Sequence, residues 1–302
     1  MPIAQALLLQ TCIMFMLMGL GMALYRLGIL TKRTAQDLGG MLIKVVLPVV
    51  IVRSFWGSFS PERLQALGIT FALSLALLCL AILISRTCFR ADGVDEFCAA
   101  FSNAGFIGIP LVQSALGTEA VFFIACFIAQ LNALQWTYGK RRIARSDQPI
   151  SARSVLANPM LVALTVGIAL FCLHIPTNPI TSGVVDAIAA LNTPFAMIVL
   201  GVSLAEADWR SLFTTARFWT VSIVRLVVIP AASLALLWLL PGSQAIKLAL
   251  LIAASAPAGS NAAVFCQQLQ QDPGRASSIV CLSTVLSLAT IPTISAIGSL
   301  VL

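Results

Sequence analysis

Long apolar runs separated by short polar connections dominate the chain. Ten of these runs are close to the roughly 20 residues that an α-helix needs to cross a bilayer. They lie at 3–25, 36–55, 65–85, 96–116, 119–138, 154–174, 184–205, 214–240, 245–269 and 276–301. The longest polar connection, 140–153, divides them into five and five. The pattern predicts an all-α polytopic membrane protein of ten transmembrane helices, with a first five-helix half at 1–146 and a second at 147–302.

Composition agrees with this prediction. Of the 302 residues, 59% are hydrophobic and only 10% are charged, and the mean hydropathy is +0.99. Soluble domains carry about 25% charged residues, so the whole chain is expected to lie in a lipid bilayer. The net charge of +7 does not indicate nucleic-acid binding, because the basic residues lie in short loops and form no basic stripe with aromatic residues.

Lys and Arg are distributed unequally between the two sides of the predicted membrane. The alternating connections place thirteen of them on one side and three, Arg53, Arg63 and Lys247, on the other. Connections rich in Lys and Arg stay in the cytoplasm. We therefore expect a multi-pass protein of the cytoplasmic (inner) membrane with both termini on the outer, periplasmic side.

Two of the apolar runs are interrupted by residues that do not suit a continuous helix. The fourth run contains FSNAGFIGIPL at 101–111 and the ninth contains APAGSNA at 256–262. Proline removes a backbone donor and glycine tolerates unusual backbone angles. The residues expected to break the two helices are Gly105, Gly108, Pro110, Pro257 and Gly259. Broken helices persist at membrane depth only where they line a cavity or pack against protein, and such a pair is typical of the substrate site of a secondary transporter.

The two halves of the chain also resemble each other. Residues 21–29 and 167–175 share five identities in nine at an offset of 146. Pro48 falls on Pro194 at that same offset, and Pro110 falls on Pro257 at 147. Because five is an odd number of spans, the second half would enter the membrane from the opposite face. We therefore predict a 5+5 inverted repeat, with broken helices 4 and 9 crossing near the midplane.

Three features, the 101–111 segment, Asn158-Pro159 at the start of the sixth span and the 256–261 break, resemble the bacterial branch of the auxin efflux carrier family. The resemblance covers essentially the whole chain. It implies a ten-helix inverted-repeat permease for a small carboxylate anion, such as malonate, malate or an auxin-like acid, and it implies dimers. The long cytoplasmic loop of the plant members is missing here.

Polar residues near the two breaks are the candidate substrate ligands. Asn103 and Asn261, with Ser102 and Ser260 beside them, offer donors and acceptors suited to a carboxylate. Alternatively, the asparagines only cap the broken half-helices. Gln130, Asn132 and Gln135 lie in the apolar fifth span, where amides face protein or a water-filled cavity. Hydrogen bonding between helices without substrate contact is the alternative for them.

Arg225 and Lys44 are the charges that fall within apolar runs. Arg225 is near the middle of its span, where an ionisable residue is a functional-site hypothesis, and its guanidinium suits a carboxylate. Alternatively, it bonds to carbonyls exposed by a helix break. Lys44 lies nearer an end of its span and is expected to snorkel. No Asp or Glu falls clearly mid-span, so we expect two cations and no buried acid in the interior, and this balance favours an anionic substrate.

Other classes of protein make different demands on the sequence. An intramembrane enzyme would need paired carboxylates, an HExxH helix or a Ser/Lys or Ser/His pair, and the sequence has none at useful spacing. The scattered cysteines and the single histidine predict no metal site, and no cofactor is expected. A sodium-coupled organic-anion symporter of the bile-acid-carrier type and a non-transporting membrane receptor stay as alternatives. The coupling ion, a proton or sodium, is left open.

Overall fold

The computed structural model describes residues 3–56, 60–145, 157–174, 176 and 178–302. Within them the chain forms helices that we number in order. They are α1 (Ile3–Arg26), α2 (Lys32–Phe55), α3 (Pro61–Phe89), α4 (Gly93–Ala100), α5 (Ala104–Leu116), α6 (Thr118–Ala144), α7 (Pro159–Cys172), α8 (Pro179–Glu206), α9 (Trp209–Thr214), α10 (Ala216–Leu239), α11 (Gln244–Ser255), α12 (Asn261–Gln268) and α13 (Pro273–Val301).

Seven of these helices, among the described residues, are long and apolar enough to cross a membrane: α1, α2, α3, α6, α8, α10 and α13. Helices α5, α7 and α11 are apolar but shorter. The prediction of an all-α multi-pass membrane protein is confirmed to this extent. The predicted boundary between the two halves, 146/147, lies outside the described residues.

Local sequence explains where several helices begin. Asn158, Asn178 and Asp272 each accept a hydrogen bond from a backbone amide in the first turn of the following helix. A proline follows each of them, and proline suits this position because the first amides of a helix have no partner within the helix. These short caps allow long apolar helices to follow one another with few intervening residues.

Proline coincides with widened helical turns. In α2, α5 and α10 a five-residue π-helical turn ends two residues before a proline: Leu42–Val46 before Pro48, Ala104–Gly108 before Pro110, and Val224–Val228 before Pro230. Proline donates no hydrogen bond and its ring clashes with the preceding turn, so a wider turn accommodates it without ending the helix.

This arrangement corrects the predicted position of the first break. The residues outside helical structure are 101–103, whereas Gly105 and Gly108 lie in the π-helical turn of α5 and Pro110 lies in its α-helical part. The three residues lie in the helix that follows the break. In the second break the prediction was closer, since Pro257 and Gly259 lie in the non-helical segment 256–260.

Helices α1 and α8 approach each other through glycine. A Cβ atom at Gly21 would lie 2.5 Å from the carbonyl oxygen of Ile198, and one at Gly201 would lie 2.1 Å from that of Met18. Small residues at such contacts let helix backbones approach closely in membrane proteins. The pair fixes α8 against α1 beside the interrupted helices.

A cluster of ion pairs joins the start of α4 to three other helices. Asp95 and Glu96 are fully buried, which corrects the expectation that the chain holds no buried acid. The carboxylate of Asp95 pairs with Arg217 at the start of α10 and with Arg275 at the start of α13. Glu96 pairs with Arg142 near the end of α6, with 2.6 Å between Oε2 and Nη2. The sequence missed this burial because both acids lie at a span end, where exposure to water is the usual expectation.

Asp92 completes the ion-pair cluster from the loop before α4. Its Oδ2 lies 2.8 Å from Nη1 of Arg275, and its Oδ1 accepts from the amides of Val94 and Asp95. Burial acts to raise the pKa of Asp92, but the amide bonds and Arg275 together outweigh it, so the pKa is lowered. Asp92 therefore stays ionised at neutral pH, and the three acids face three arginines.

Candidate functional site

The two helix interruptions, 101–103 and 256–260, meet and bond to each other at a place that we call the crossing. Ser102 and Ala258 form an isolated antiparallel bridge. The amide of Asn103 donates to the carbonyl of Pro257 at 2.7 Å, and the amide of Gly259 donates to the carbonyl of Phe101 at 2.9 Å. Each break therefore satisfies backbone groups that the other exposes, which is how unwound backbone is tolerated inside a membrane protein.

A small cavity lies at this crossing. Its volume is about 30 Å³, which is near the share of one water molecule in the liquid. Two further elements, α2 and α6, complete its wall. The lining residues are Ile43, Leu47, Ser102, Asn103, Gly105, Phe106, Leu131, Asn132, Gln135, Gly259, Ser260 and Asn261. In this conformation the cavity is too small for a dicarboxylate.

Five of the seven predicted substrate ligands line the cavity: Ser102, Asn103, Asn132, Ser260 and Asn261. Ser102 is 2% exposed and Asn103 is 6% exposed. The hydroxyl of Ser102 and the Nδ2 of Asn103 are buried without a hydrogen-bond partner among the described residues. Buried polar groups are normally paired, so these two donors are available to a bound ligand.

The amides of Asn261 and Asn132 are already engaged. Nδ2 of Asn261 donates to Oε1 of Gln135 at 2.8 Å, which ties the start of α12 to α6. Nδ2 of Asn132 donates to the carbonyl of Ile128 in its own helix at 2.9 Å. Gln135 is therefore part of the crossing, both as a wall of the cavity and as the partner of the second break.

Gln130 lies away from the cavity wall. Its Nε2 donates to the carbonyl of Phe71 in α3 at 3.1 Å. This is the alternative that the sequence left open for the fifth-span amides, namely a hydrogen bond between helices. The structure does not bring Gln130 together with the other candidates.

Arg225 is not among the residues that line the small cavity. Its side chain is 1% exposed. Nη1 donates to the carbonyls of Ala99 at 3.0 Å and Ala100 at 3.1 Å, and Nη2 donates to the carbonyl of Ala254. These are the last residues of α4 and the penultimate residue of α11. The geometry agrees with the second alternative for Arg225, bonding to carbonyls at the helix breaks.

Lys44 differs from Arg225 in its surroundings. It lies in the π-helical turn of α2, and its side chain is exposed on the surface of the protein beside Met41 and Val45. It is near the middle of α2, since that helix begins at Lys32, earlier than the sequence predicted. Side chains lean toward the helix N-terminus, which directs Lys44 toward the end that carries Lys32.

Two residues outside the set of predicted substrate ligands also lie at the crossing. Nδ2 of Asn192, at a bend in α8, donates to the carbonyl of Gly105 at 3.3 Å, and its Oδ1 is buried without a partner in the described chain. The hydroxyl of Ser283 in α13 accepts from the amide of Ala258 at 3.1 Å. An amide in the middle of an apolar run, directly before Thr193-Pro194, was the available sequence signal for Asn192.

A larger cavity lies beside the crossing, and we call it the vestibule. Its volume is about 250 Å³, and its wall is formed by Val50, Arg53, Ser54, Gln113, Thr118, Val121, Asp186, Ala189, Ala190 and Thr193. Leu47 borders the small cavity and Val50, one turn later in α2, borders the vestibule. Arg53 and Asp186 form an ion pair in its wall and are 36% and 51% exposed. The vestibule therefore has partly exposed residues in its wall, and α2 borders both it and the small cavity.

A family model described as "Membrane transport protein" matches this chain over residues 7–155 and 140–295. The chain belongs to that family. The match extends over nearly the full length and confirms the resemblance to auxin efflux carriers that the two interrupted helices indicated. A membrane transporter is thus the class of protein to which the crossing belongs.

Two relatives of this transporter share about a quarter of its residues. An "Uncharacterized transporter" of Methanothermobacter thermautotrophicus is 25% identical over 289 residues, covering 90% of this chain and 92% of the relative. A "Putative malonate transporter" of Rhizobium meliloti is 24% identical over 239 residues, covering 76% of this chain and 74% of the relative.

Proposed function

We propose that this protein is a secondary transporter that moves a small organic carboxylate, of the malonate or malate class, across the cytoplasmic membrane by alternating access. The substrate carboxylate binds where the two interrupted helices cross. The proposal rests on two buried donors in the cavity wall, the Ser102 hydroxyl and Asn103 Nδ2, which have no hydrogen-bond partner in the part of the chain that the structure describes.

The helix ends around the cavity favour an anion. Helices α5 and α12 begin at Ala104 and Asn261, and both starting segments border the cavity. The first amides of a helix lack partners within the helix, and the helix dipole makes this end attractive to negative charge. Two such ends, with Ser102 and Asn103 beside them, supply donors and no fixed negative charge.

The charges in the interior support the same substrate class. Asp95 and Glu96 are buried, but arginines neutralise both. Arg225 is fully buried and has no ion-pair partner within the described residues. The relative named as a malonate transporter agrees with a dicarboxylate and makes malonate the first substrate to test.

Alternating access requires a path and a change of shape. The small cavity, at about 30 Å³, cannot admit malonate in this conformation, and the vestibule of about 250 Å³ supplies space on one side. Arg53 in the vestibule wall belongs to the face that the distribution of Lys and Arg assigns to the outside. We infer ten spans in a 5+5 inverted repeat, divided near 146/147, with both termini outside.

Two other functions predict different behaviour. A sodium-coupled symporter would move the same anion only with sodium present. A membrane receptor on this fold would bind the anion without moving it. Measurement of the oligomeric state in detergent tests whether the protein forms a homodimer.

Counterflow in proteoliposomes tests the proposal. Vesicles preloaded with unlabelled malonate should accumulate labelled malonate when they contain wild type, and should lose most of that exchange with Asn103→Ala. Gln36→Ala, which changes an exposed amide of α2, is the matched control and should exchange like wild type. Saturable malonate binding without exchange would favour the receptor. If folded protein neither binds nor exchanges malonate or malate, the carboxylate proposal is rejected.

A further inference from the structure

The carbonyls that Arg225 contacts belong to both interrupted helices. Ala99 and Ala100 end α4, and Ala254 lies one residue before the end of α11. Three hydrogen bonds from one guanidinium therefore join the C-terminal ends of two separate half-helices. Arg225 reaches them from a π-helical turn of α10.

These carbonyls accept from Arg225 because their usual donors are used elsewhere. In a continuous helix Ala99 would accept from the amide of Asn103, but that amide donates to Pro257. Ala254 would accept from the amide of Ala258, but that amide donates to Ser283. The crossing itself thus creates the exposed carbonyls, and the buried guanidinium satisfies them.

The free carbonyls at the C-terminal ends of α4 and α11 favour a bound cation. The C-terminal end of a helix carries partial negative charge, and in transporters with interrupted helices these ends and their free carbonyls coordinate the coupling cation. Here two such ends meet, and a covalently attached cation lies between them with 1% exposure.

We propose that Arg225 is a positioning residue that replaces a coupling sodium ion at the crossing. It holds the two half-helices together with a permanent positive charge, so that substrate movement needs no sodium at this place. This inference rests on the proposed carboxylate transport, and it excludes the bile-acid type of coupling at these carbonyls. Arg225 acts through the half-helices and does not line the small cavity, in which Ser102 and Asn103 hold the substrate.

The first experiment compares malonate counterflow in sodium with counterflow in choline. Wild type should exchange equally in both media. Arg225→Gln should lose exchange by about tenfold or more, since two or three hydrogen bonds to a charged donor disappear, and Arg225→Lys should recover part of it. Arg210→Gln, an exposed arginine in α9, is the control and should match wild type. A saturable sodium requirement in wild type, or full exchange by Arg225→Gln, would overturn the inference, whereas no exchange in any medium would count against the proposed function.

A second experiment does not depend on transport. The melting temperature of purified Arg225→Ala should lie below that of wild type and should rise when millimolar guanidinium or sodium chloride replaces choline chloride. Wild type and Arg210→Ala should not respond in this way. If Arg225→Ala does not fold, Arg225→Lys takes its place and should melt between wild type and Arg225→Gln. An unchanged melting temperature in Arg225→Ala, or a variant insensitive to small cations, would show that no cation is needed between the half-helices.

Discussion

The backbone amide of Asn103 donates to the carbonyl of Pro257 across 2.7 Å, although the two residues lie in different interrupted helices. The reciprocal bond from Gly259 to Phe101 measures 2.9 Å. Separating the interrupted helices would leave these groups unpaired in the protein interior, at about 1–3 kcal/mol for each. The two breaks are therefore expected to move as one unit when the transporter changes conformation.

Gly259→Ala tests this crossing. A Cβ at Gly259 would lie 3.1 Å from Nε2 of Gln135 and 3.3 Å from the carbonyl oxygen of Phe101. We expect a loss of about 1–3 kcal/mol in stability, the usual effect of overpacking, together with slower malonate exchange. Melting temperature and counterflow measure the two effects. Gly183→Ala in α8, where a Cβ meets nothing within 4 Å, is the control, and an equal effect there would argue against a special role for the crossing.

Asn103→Ala should separate binding from stability. Its Nδ2 has no hydrogen-bond partner in the described chain, so its removal costs the fold no hydrogen bond. A hydrogen bond to a charged ligand contributes about 1.5–3 kcal/mol, so malonate affinity should fall by at least about tenfold with little change in melting temperature.

Asn261→Ala is the informative comparison for Asn103→Ala. It removes the 2.8 Å bond to Gln135 and should lower stability by about 1 kcal/mol, as well as affinity. Isothermal titration and thermal melting distinguish the two variants. If Asn103→Ala melts far below wild type while binding malonate normally, its side chain supports the fold and does not bind substrate.

The sequence predicted the interrupted helices well and their contacts poorly. Pro, Gly and Asn are each unfavourable in an uninterrupted membrane helix. Their presence in two apolar runs therefore predicts helix breaks near Asn103 and Asn261. The break before α5 lies at 101–103, upstream of Pro110, because a π-helical turn accommodates the proline. Proline alone does not predict such a turn, because Pro292 lies inside the α-helix α13.

The other features of the site depend on contacts between segments that are distant in sequence. The depth of Arg225 in its span made it a candidate, but its bonds to Ala99 and Ala254 depend on how α4 and α11 meet. Asp95 and Glu96 looked exposed at a span end, yet α6, α10 and α13 bury them. The burial of a helix end depends on the helices that pack against it. The sequence of that one helix does not show which helices those are.

Asp95→Asn tests the ion-pair cluster. The variant leaves Arg217 without its carboxylate partner and leaves Arg275 paired with Asp92 alone, and breaking a buried pair costs about 3–5 kcal/mol. Because these arginines are 49% and 27% exposed, water compensates in part, so the lower end, about 3 kcal/mol, is expected in unfolding measurements. Asp186→Asn, which breaks the exposed pair with Arg53, should cost less than about 1 kcal/mol. Equal losses would mean that burial gives the cluster no added strength.

The pH dependence of the cluster follows from Asp92. The pKa of its carboxyl is lowered in the folded protein, so its stabilising contribution is complete above the ordinary aspartate pKa and disappears only as pH falls through the lower folded value. Between about pH 5 and 8, above the ordinary aspartate pKa, Asp92→Asn should therefore destabilise the protein by a constant amount in melting experiments. A loss that vanished already near pH 6 would contradict the lowered pKa.

Thr193→Cys tests whether the vestibule is the path of the substrate. Thr193 lies in the vestibule wall next to Asn192, which contacts the first broken helix. In a cysteine-free background, a charged, membrane-impermeant thiol reagent should modify Thr193→Cys in intact cells and stop transport, because the adduct occupies the vestibule. A variant that retains only native Cys88, exposed near the end of α3 between Arg86 and Arg90, should react in inside-out vesicles alone. Modification of Thr193→Cys only from the inner face would reverse the proposed topology, and modification without loss of transport would place the substrate path elsewhere.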